Sequence, residues 1–204
     1  MDEVLEYWFG AEPTTQAEMD AKIRRWFLAG AAVDGEIIAK FGALVEAAVR
    51  GELDAWADSA RGRLALVILL DQLTRHTYRG QARMYAGDEK AQQLALDAFA
   101  RGLDGELSWI ERLFLSMPLL HSESPSVHER YQPIGDALCA TVPPIYAKMA
   151  DANREQRAKY LGIVQRFGRF PHRNAILGRA ATPEEEAFVV EMEAKMAPAV
   201  SKTV

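Results

Sequence analysis

Apolar residues recur along this chain at intervals of three and four over almost its whole length, the spacing of helices that bury one face. Ile37, Phe41, Leu44, Val45 and Ala48 fall at i, i+4, i+7, i+8 and i+11. Asp34 precedes them as a capping residue and Gly51 follows as a stop, so a helix is predicted between the two. Asp88 stands in the same relation to Ala91, Leu94, Ala95, Ala98 and Phe99, with Gly102 at the far end. Ser108-Trp-Ile-Glu111 and Thr182-Pro-Glu-Glu185 match the capping box, in which a hydroxyl and a carboxylate three residues on satisfy free backbone N–H groups. Pro183, at the first helical position, strengthens the second match. Tyr160, Ile163, Val164 and Phe167 form a further stripe that Pro171 is expected to end. Leu64 to Leu70 is the longest apolar run, and among such neighbours it reads as a buried helix rather than a strand.

Prolines at 13, 118, 125, 133 and 143–144 divide the chain without a long flexible linker. The expected architecture is therefore all-α: stacked antiparallel helical hairpins in one domain spanning 1–204, in the manner of tetratricopeptide folds. Phrases ending in Arg50-Gly51 and Arg101-Gly102 mark two similar helix ends, but no fixed period links them, so a strict repeat array is not expected. The aromatic residues Tyr7, Trp8, Phe9, Trp26 and Phe27, at helical spacing, read as core anchors rather than a ligand platform.

Composition narrows the class. Apolar residues make up 49% and charged residues 26%, ordinary for a soluble globular domain. A net charge of −5 argues against broad nucleic-acid binding. The seven-residue Leu64–Leu70 run falls far short of the roughly 20 residues that span a bilayer, so no membrane partner is expected. Cys139 is the only cysteine, which excludes an intramolecular disulfide and a cysteine metal cluster. The acidic N-terminus lacks the features of a secretory signal, and a cytoplasmic location is expected.

Against that acidic total, Arg166 to Arg179 holds four arginines and His172 with no acid among them. Guanidinium forks suit carboxylate or phosphate oxygens, and Asn174 adds a neutral donor and acceptor. A second polar cluster, Asp71, Gln72, Arg75, His76 and Arg79, follows the apolar run; if the helix continues, Asp71, Arg75 and Arg79 share a face. The third is His121-Ser122-Glu123, after a proline-bearing helix. His121 and Glu123 suit acid–base chemistry, but two ligands are too few for a metal, and Ser122 lacks the glycine pattern of a nucleophile elbow. No phosphate-binding loop or dinucleotide fingerprint is present, so no cofactor is expected.

These phrases together resemble a known family. Val-Leu-Glu-Tyr-Trp-Phe-Gly10, Leu-Leu-Asp-Gln72, Arg75, Tyr-Arg-Gly80, Met-Pro-Leu-Leu-His-Ser-Glu123, Arg-Phe-Gly-Arg-Phe-Pro-His-Arg-Asn174 and Ile-Leu-Gly-Arg179 occur in the order seen in bacterial members of domain-of-unknown-function family 924. The resemblance implies an all-helical, tetratricopeptide-like fold and brings no activity with it. Relatives typically read Asp-Gln-Phe-Pro-Arg-Asn where this chain has Asp71-Gln72-Leu73-Thr74-Arg75-His76, a departure at the local turn and at position 76.

The leading expectation is a pocket lined by Arg75, Arg79, Arg166, Arg169, His172, Arg173 and Asn174 that holds an anionic small molecule or a peptide carboxylate. The alternative is a hydrolase or lyase acting on an anionic substrate, with His121 or His172 as acid or base and Asp71 or Glu123 as partner. A scaffold whose arginines only bridge helices is the third reading.

Overall fold

The computed structural model describes residues 1–196 and is built of helices, with no strand among them. In chain order they are α1 (Asp2–Phe9), α2 (Gln16–Ile23), α3 (Asp34–Val49), α4 (Ala60–Val67), α5 (Thr74–Thr77), α6 (Asp88–Ala100), α7 (Trp109–Leu120), α8 (Pro125–Ala140), α9 (Ala147–Phe167), α10 (Asn174–Leu177) and α11 (Pro183–Met196). Helix α6 packs on α7, α7 on α8 and α8 on α9, each against its successor, which fits the expected stack of hairpins. No helix of the described residues is long and apolar enough to cross a membrane.

The apolar run lies at the centre, and every residue from Leu64 to Leu70 is fully buried. It does not form a regular α-helix throughout. After α4 the chain passes through a π-helical turn, Ile68–Leu73, before resuming as α5. The Thr74 N–H reaches back five residues to the Leu69 carbonyl, and its hydroxyl donates to the Leu70 carbonyl at 2.7 Å. The extra residue in this turn is where Asp71 and Gln72 sit. Because α5 then stops at Thr77, Arg79 lies beyond the helix. The expected single face of Asp71, Arg75 and Arg79 is corrected accordingly: the first two pair at 3.4 Å, and Arg79 turns to Asp34.

Helix ends follow the sequence in part. Both capping boxes contribute as read: Glu111 accepts from the Ser108 N–H at 2.9 Å, while Thr182 and Glu185 exchange bonds at 2.8 and 3.2 Å. The two aspartate caps do not form. Asp34 and Asp88 are the first residues of α3 and α6, and neither helix start has a side-chain cap. Their carboxylates are drawn to arginines instead, a stronger partner than an exposed backbone N–H. Helix α9 ends earlier than Pro171, at Gly168, whose φ of 69° is open to glycine at little cost.

Aromatic packing ties the N-terminal helices to α7. Phe114 is enclosed by Trp26 at 4.9 Å, Phe9 at 5.4 Å and Trp8 at 5.7 Å, all edge-to-face. Trp8, Phe9 and Trp26 are core residues as expected, but Phe27 is 46% exposed. On the other side, Tyr131 of α8 is fully buried, with its hydroxyl 3.1 Å from Ser116 of α7 and 2.9 Å from Asn153 of α9. Arg157 of α9 is also buried, against Gly135 of α8, and donates to Asp136 and to the Gln132 carbonyl.

The π-helical turn is held close to the start of α6 at Gly87. A Cβ on Gly87 would lie 2.3 Å from the Leu70 carbonyl oxygen, whereas one on Gly35, in α3, would meet nothing. Gly87→Ala is therefore expected to cost about 1–3 kcal/mol by overpacking. Gly35→Ala is expected to be neutral or to gain up to about 1 kcal/mol from helix propensity. Urea denaturation of the two variants checks this, the expected result being a lower midpoint for the first alone.

Candidate functional site

The three polar clusters of the sequence meet around the π-helical turn. Asp71 has no exposed surface, and its Oδ1 lies 2.8 Å from Nδ1 of His121, the residue closing α7. Its Oδ2 accepts from the Gln72 amide at 2.6 Å, and Arg75 adds a longer contact at 3.4 Å. Burial alone pushes the Asp71 carboxyl up, but His121, Arg75 and Gln72 outweigh it and bring it down to about 2. Asp71 is thus an anion throughout the physiological range.

Asp88 forms the second node. It accepts from Arg75 at 2.8 and 3.1 Å, and from Arg173 at 3.1 Å. Arg75 also donates to the Met84 carbonyl at 2.7 Å, and Arg173 to the His121 carbonyl at 2.9 Å. Both guanidinium groups lie over the Tyr85 ring, at 4.9 and 4.5 Å from its centroid. Two arginines and two aspartates cancel, so the cluster carries no net charge when His121 is neutral.

The arginine segment surrounds this core. Glu123 accepts two bonds from Arg179, at 2.6 and 2.9 Å, and one from the Phe170 N–H at 2.7 Å. Burial raises the Glu123 carboxyl, yet Arg179 and the Phe170 N–H lower it on balance. Asn174 accepts from Arg179 at 3.0 Å. His172 lies beside Phe170, with ring centroids 5.5 Å apart, and its Nδ1 is buried without a hydrogen-bond partner among the described residues. Desolvation, reinforced by Arg173, pushes its imidazole down to about 4.

Arg75, His121, Arg173 and Asp71 are therefore brought together, with Glu123, His172 and Asn174 beside them. The remaining candidates are not. Arg79 pairs with Asp34 at 2.5 Å, and Asp34 also contacts His76 at 2.8 Å, so His76 has a polar role in this chain. Arg166 pairs with Glu184 at 2.7 Å on the exposed surface. Arg169 forms a two-pronged pair with Glu185 at 2.6 and 2.8 Å and donates to the Ala180 carbonyl. Arg169 and the Thr182 N–H hold Glu185 down at about 2.

Asp88 and Tyr85 were not anticipated. Asp88 opens a helix, and that position has its own explanation in capping, which hid its pairing with two distant arginines. Tyr85 stands in a short 3₁₀ turn, Ala82–Tyr85, with no apolar period to place it. His121 is the one of the two candidate histidines with a carboxylate partner. Its Nδ1 is taken by Asp71, no hydrogen bond is made to its Nε2 among the described residues, and its side chain is 18% exposed. Among the described residues no three of His, Cys, Asp and Glu come together as a metal site.

The family described as "Bacterial protein of unknown function (DUF924)" matches residues 4–193. Among solved structures, a protein of unknown function from Agrobacterium tumefaciens is 35% identical, over 93% of this chain and 96% of that one, with a TM-score of 0.72. No curated protein matches the chain.

The ionisations separate two windows of pH. His172 binds a proton less readily folded than unfolded, so stability is expected to rise with pH from about 4 to about 6.5. Asp71 has a depressed folded value, so its contribution is present above about 3.9 and lost as pH falls towards 2, by about 2–3 kcal/mol in all. Denaturant titrations across pH check both, and His172→Asn is expected to flatten the upper window only. Arg173→Ala, which leaves buried Asp88 to Arg75 alone and removes the donor to the His121 carbonyl, is expected to cost about 1–3 kcal/mol. Arg166→Ala, on an exposed pair, is expected to change stability by less than about 1 kcal/mol in the same measurement.

Proposed function

Since the chain belongs to the bacterial DUF924 family, whose description carries no activity, we propose from the site itself that it is an acid–base enzyme of the hydrolase or lyase kind. His121 is its proton-transfer group and Asp71 its fixed partner. One observation carries the reading: a buried, ionised carboxylate holds Nδ1 of His121 at 2.8 Å, while Nε2 is free of any protein partner described. An ionised Asp71 only accepts hydrogen bonds, so Nδ1 carries a proton, and in the neutral imidazole the lone pair then lies on Nε2. That is the tautomer a general base needs. Nε2 can take a proton from water or from a carbon beside a carbonyl and return it to a leaving group, so His121 ends the cycle as it began.

Arg75 and Arg173 adjoin His121 and would be the groups to meet an anionic substrate. Their charge is already offset by Asp88, so they favour an anion less than two unpaired arginines would. A binding pocket formed from the wider set, with Arg79, Arg166 and Arg169, would require each to exchange a carboxylate of the protein for a ligand. Their pairings favour a bridging role between helices for those three.

Turnover of ester and amide substrates bearing a carboxylate or phosphate provides the test. His121→Asn keeps a donor for Asp71 and removes Nε2. The variant is expected to retain the fold by circular dichroism and lose turnover by about 10²–10⁴-fold. An Asn variant that works at the wild-type rate, or a wild-type protein inert towards every such substrate, would overturn the proposal.

A further inference from the structure

We infer that the outer face of α3, with the Phe27–Ala32 segment that leads into it, is a docking surface for α11 of a second copy of this chain. A surface helix ordinarily turns charge outwards, and α3 largely does not. Its inner residues Ile37, Phe41, Val45 and Ala48 are buried in the core. Its outer face presents Gly35, Ile38, Ala39 and Ala43 to solvent, with Ile38 46% exposed. The approach to the helix extends this surface. From Phe27 to Ala32 no residue is charged and all but Ala29 are exposed, Leu28 at 71%. Phe27 stacks on Phe114 at 6.1 Å, which anchors the segment to the core. Exposed apolar residues gathered in this way mark an interaction surface, whereas single ones do not.

The charge at its rim selects the occupant. Arg24 is exposed and makes no ion pair among the described residues, and Arg25 reaches Glu36 only at 3.8 Å. Lys40, further along α3, pairs with Glu3 at 3.5 Å. Three bases against two acids leave a positive surplus here, in a chain whose net charge is −5. The matching surface is therefore acidic, with an apolar centre.

Helix α11 carries such a surface. It holds to the rest of the chain through Glu185, paired with Arg169, and Phe188, whose ring lies 5.1 Å from that of Phe167. Glu186, Val190 and Glu193, at i, i+4 and i+7, are all exposed, Val190 at 66%. Glu184 and Glu191 are paired with Arg166 and Lys195, but Glu186 and Glu193 make no ion pair among the described residues. An apolar residue between two unmatched acids on one helical face suits an apolar surface with an arginine rim. Both faces are open on a single copy, so the match is made between copies. Two such contacts related by a two-fold axis close a dimer.

Sedimentation velocity from micromolar to hundreds of micromolar chain tests the assignment. Wild type is expected to pass from monomer to dimer over that range, with association weakened about tenfold between about 0.05 M and about 0.5 M salt. Two charge-reversed variants, one with Arg24→Glu and Arg25→Glu and the other with Glu186→Arg and Glu193→Arg, are each expected to stay monomeric while circular dichroism shows them folded. Their equimolar mixture is expected to dimerise within about threefold of wild-type affinity, because opposite charges then meet at both contacts. A wild type that is monomeric at every concentration would overturn the inference, including one that sediments with phosphatidylglycerol vesicles. Dimerisation retained in either variant, or a mixture that stays monomeric, would do the same.

Discussion

Two carboxylates, Asp71 and Asp88, are held in a helical interior with little or no access to water, and the surrounding structure is arranged by the need to offset that burial. A lone buried charge would cost several kcal/mol, more than most of the packing around it returns. Asp71 is answered by an imidazole, an amide and a guanidinium, and Asp88 by two guanidiniums. These partners come from the π-helical turn, α5, the end of α7 and the segment before α10, so satisfying two acids fixes where those four parts of the chain meet. The aromatic cluster around Phe114 does the equivalent work at the other end by apolar contact. Helix α7 joins the two regimes, with Phe114 in the aromatic cluster and His121 at its end in the charge-balanced one.

The helices were legible because their periodicity is a property of contiguous residues. Leu64–Leu70 read as buried helix because its neighbours leave no other way to cover it, and the capping boxes were readable because both partners lie three residues apart. The π-helical turn left no such trace. Nothing in the order Ile68-Leu-Leu-Asp71 distinguishes a five-residue return from a four-residue one, and the turn is imposed by the Leu70 carbonyl meeting Gly87 and by Asp71 reaching His121. The same limit explains Asp34 and Asp88. Each looked like a cap because its nearest backbone N–H groups were visible in sequence while its arginines were not.

The convergence of the three polar clusters was readable, but the charge balance was not. Four arginines without an acid in Arg166–Arg179 suggested an excess of positive charge. The compensating acids are Asp88, Glu123, Glu184 and Glu185, supplied by α6, the loop after α7 and α11. A local count of charge therefore measures how strongly a segment must be tied to the rest of the chain, and only the surplus after pairing describes what it offers to solvent.

The bridge from Asp88 to Arg173 spans 85 positions. Closing a loop of that length costs on the order of 4 kcal/mol in chain entropy beyond a constant, and that cost falls due before the ion pair forms. During synthesis, α4 to α8 emerge while Asp88 lacks Arg173 and Asp71 depends on His121 and Arg75 alone. The helices can collapse by their apolar faces, but Asp71 and Asp88 share the single guanidinium of Arg75 until Arg173 arrives. The arginine segment thus acts as a late latch on folding, and a chain truncated before it would expose a poorly packed, negatively charged core to the cell's proteases.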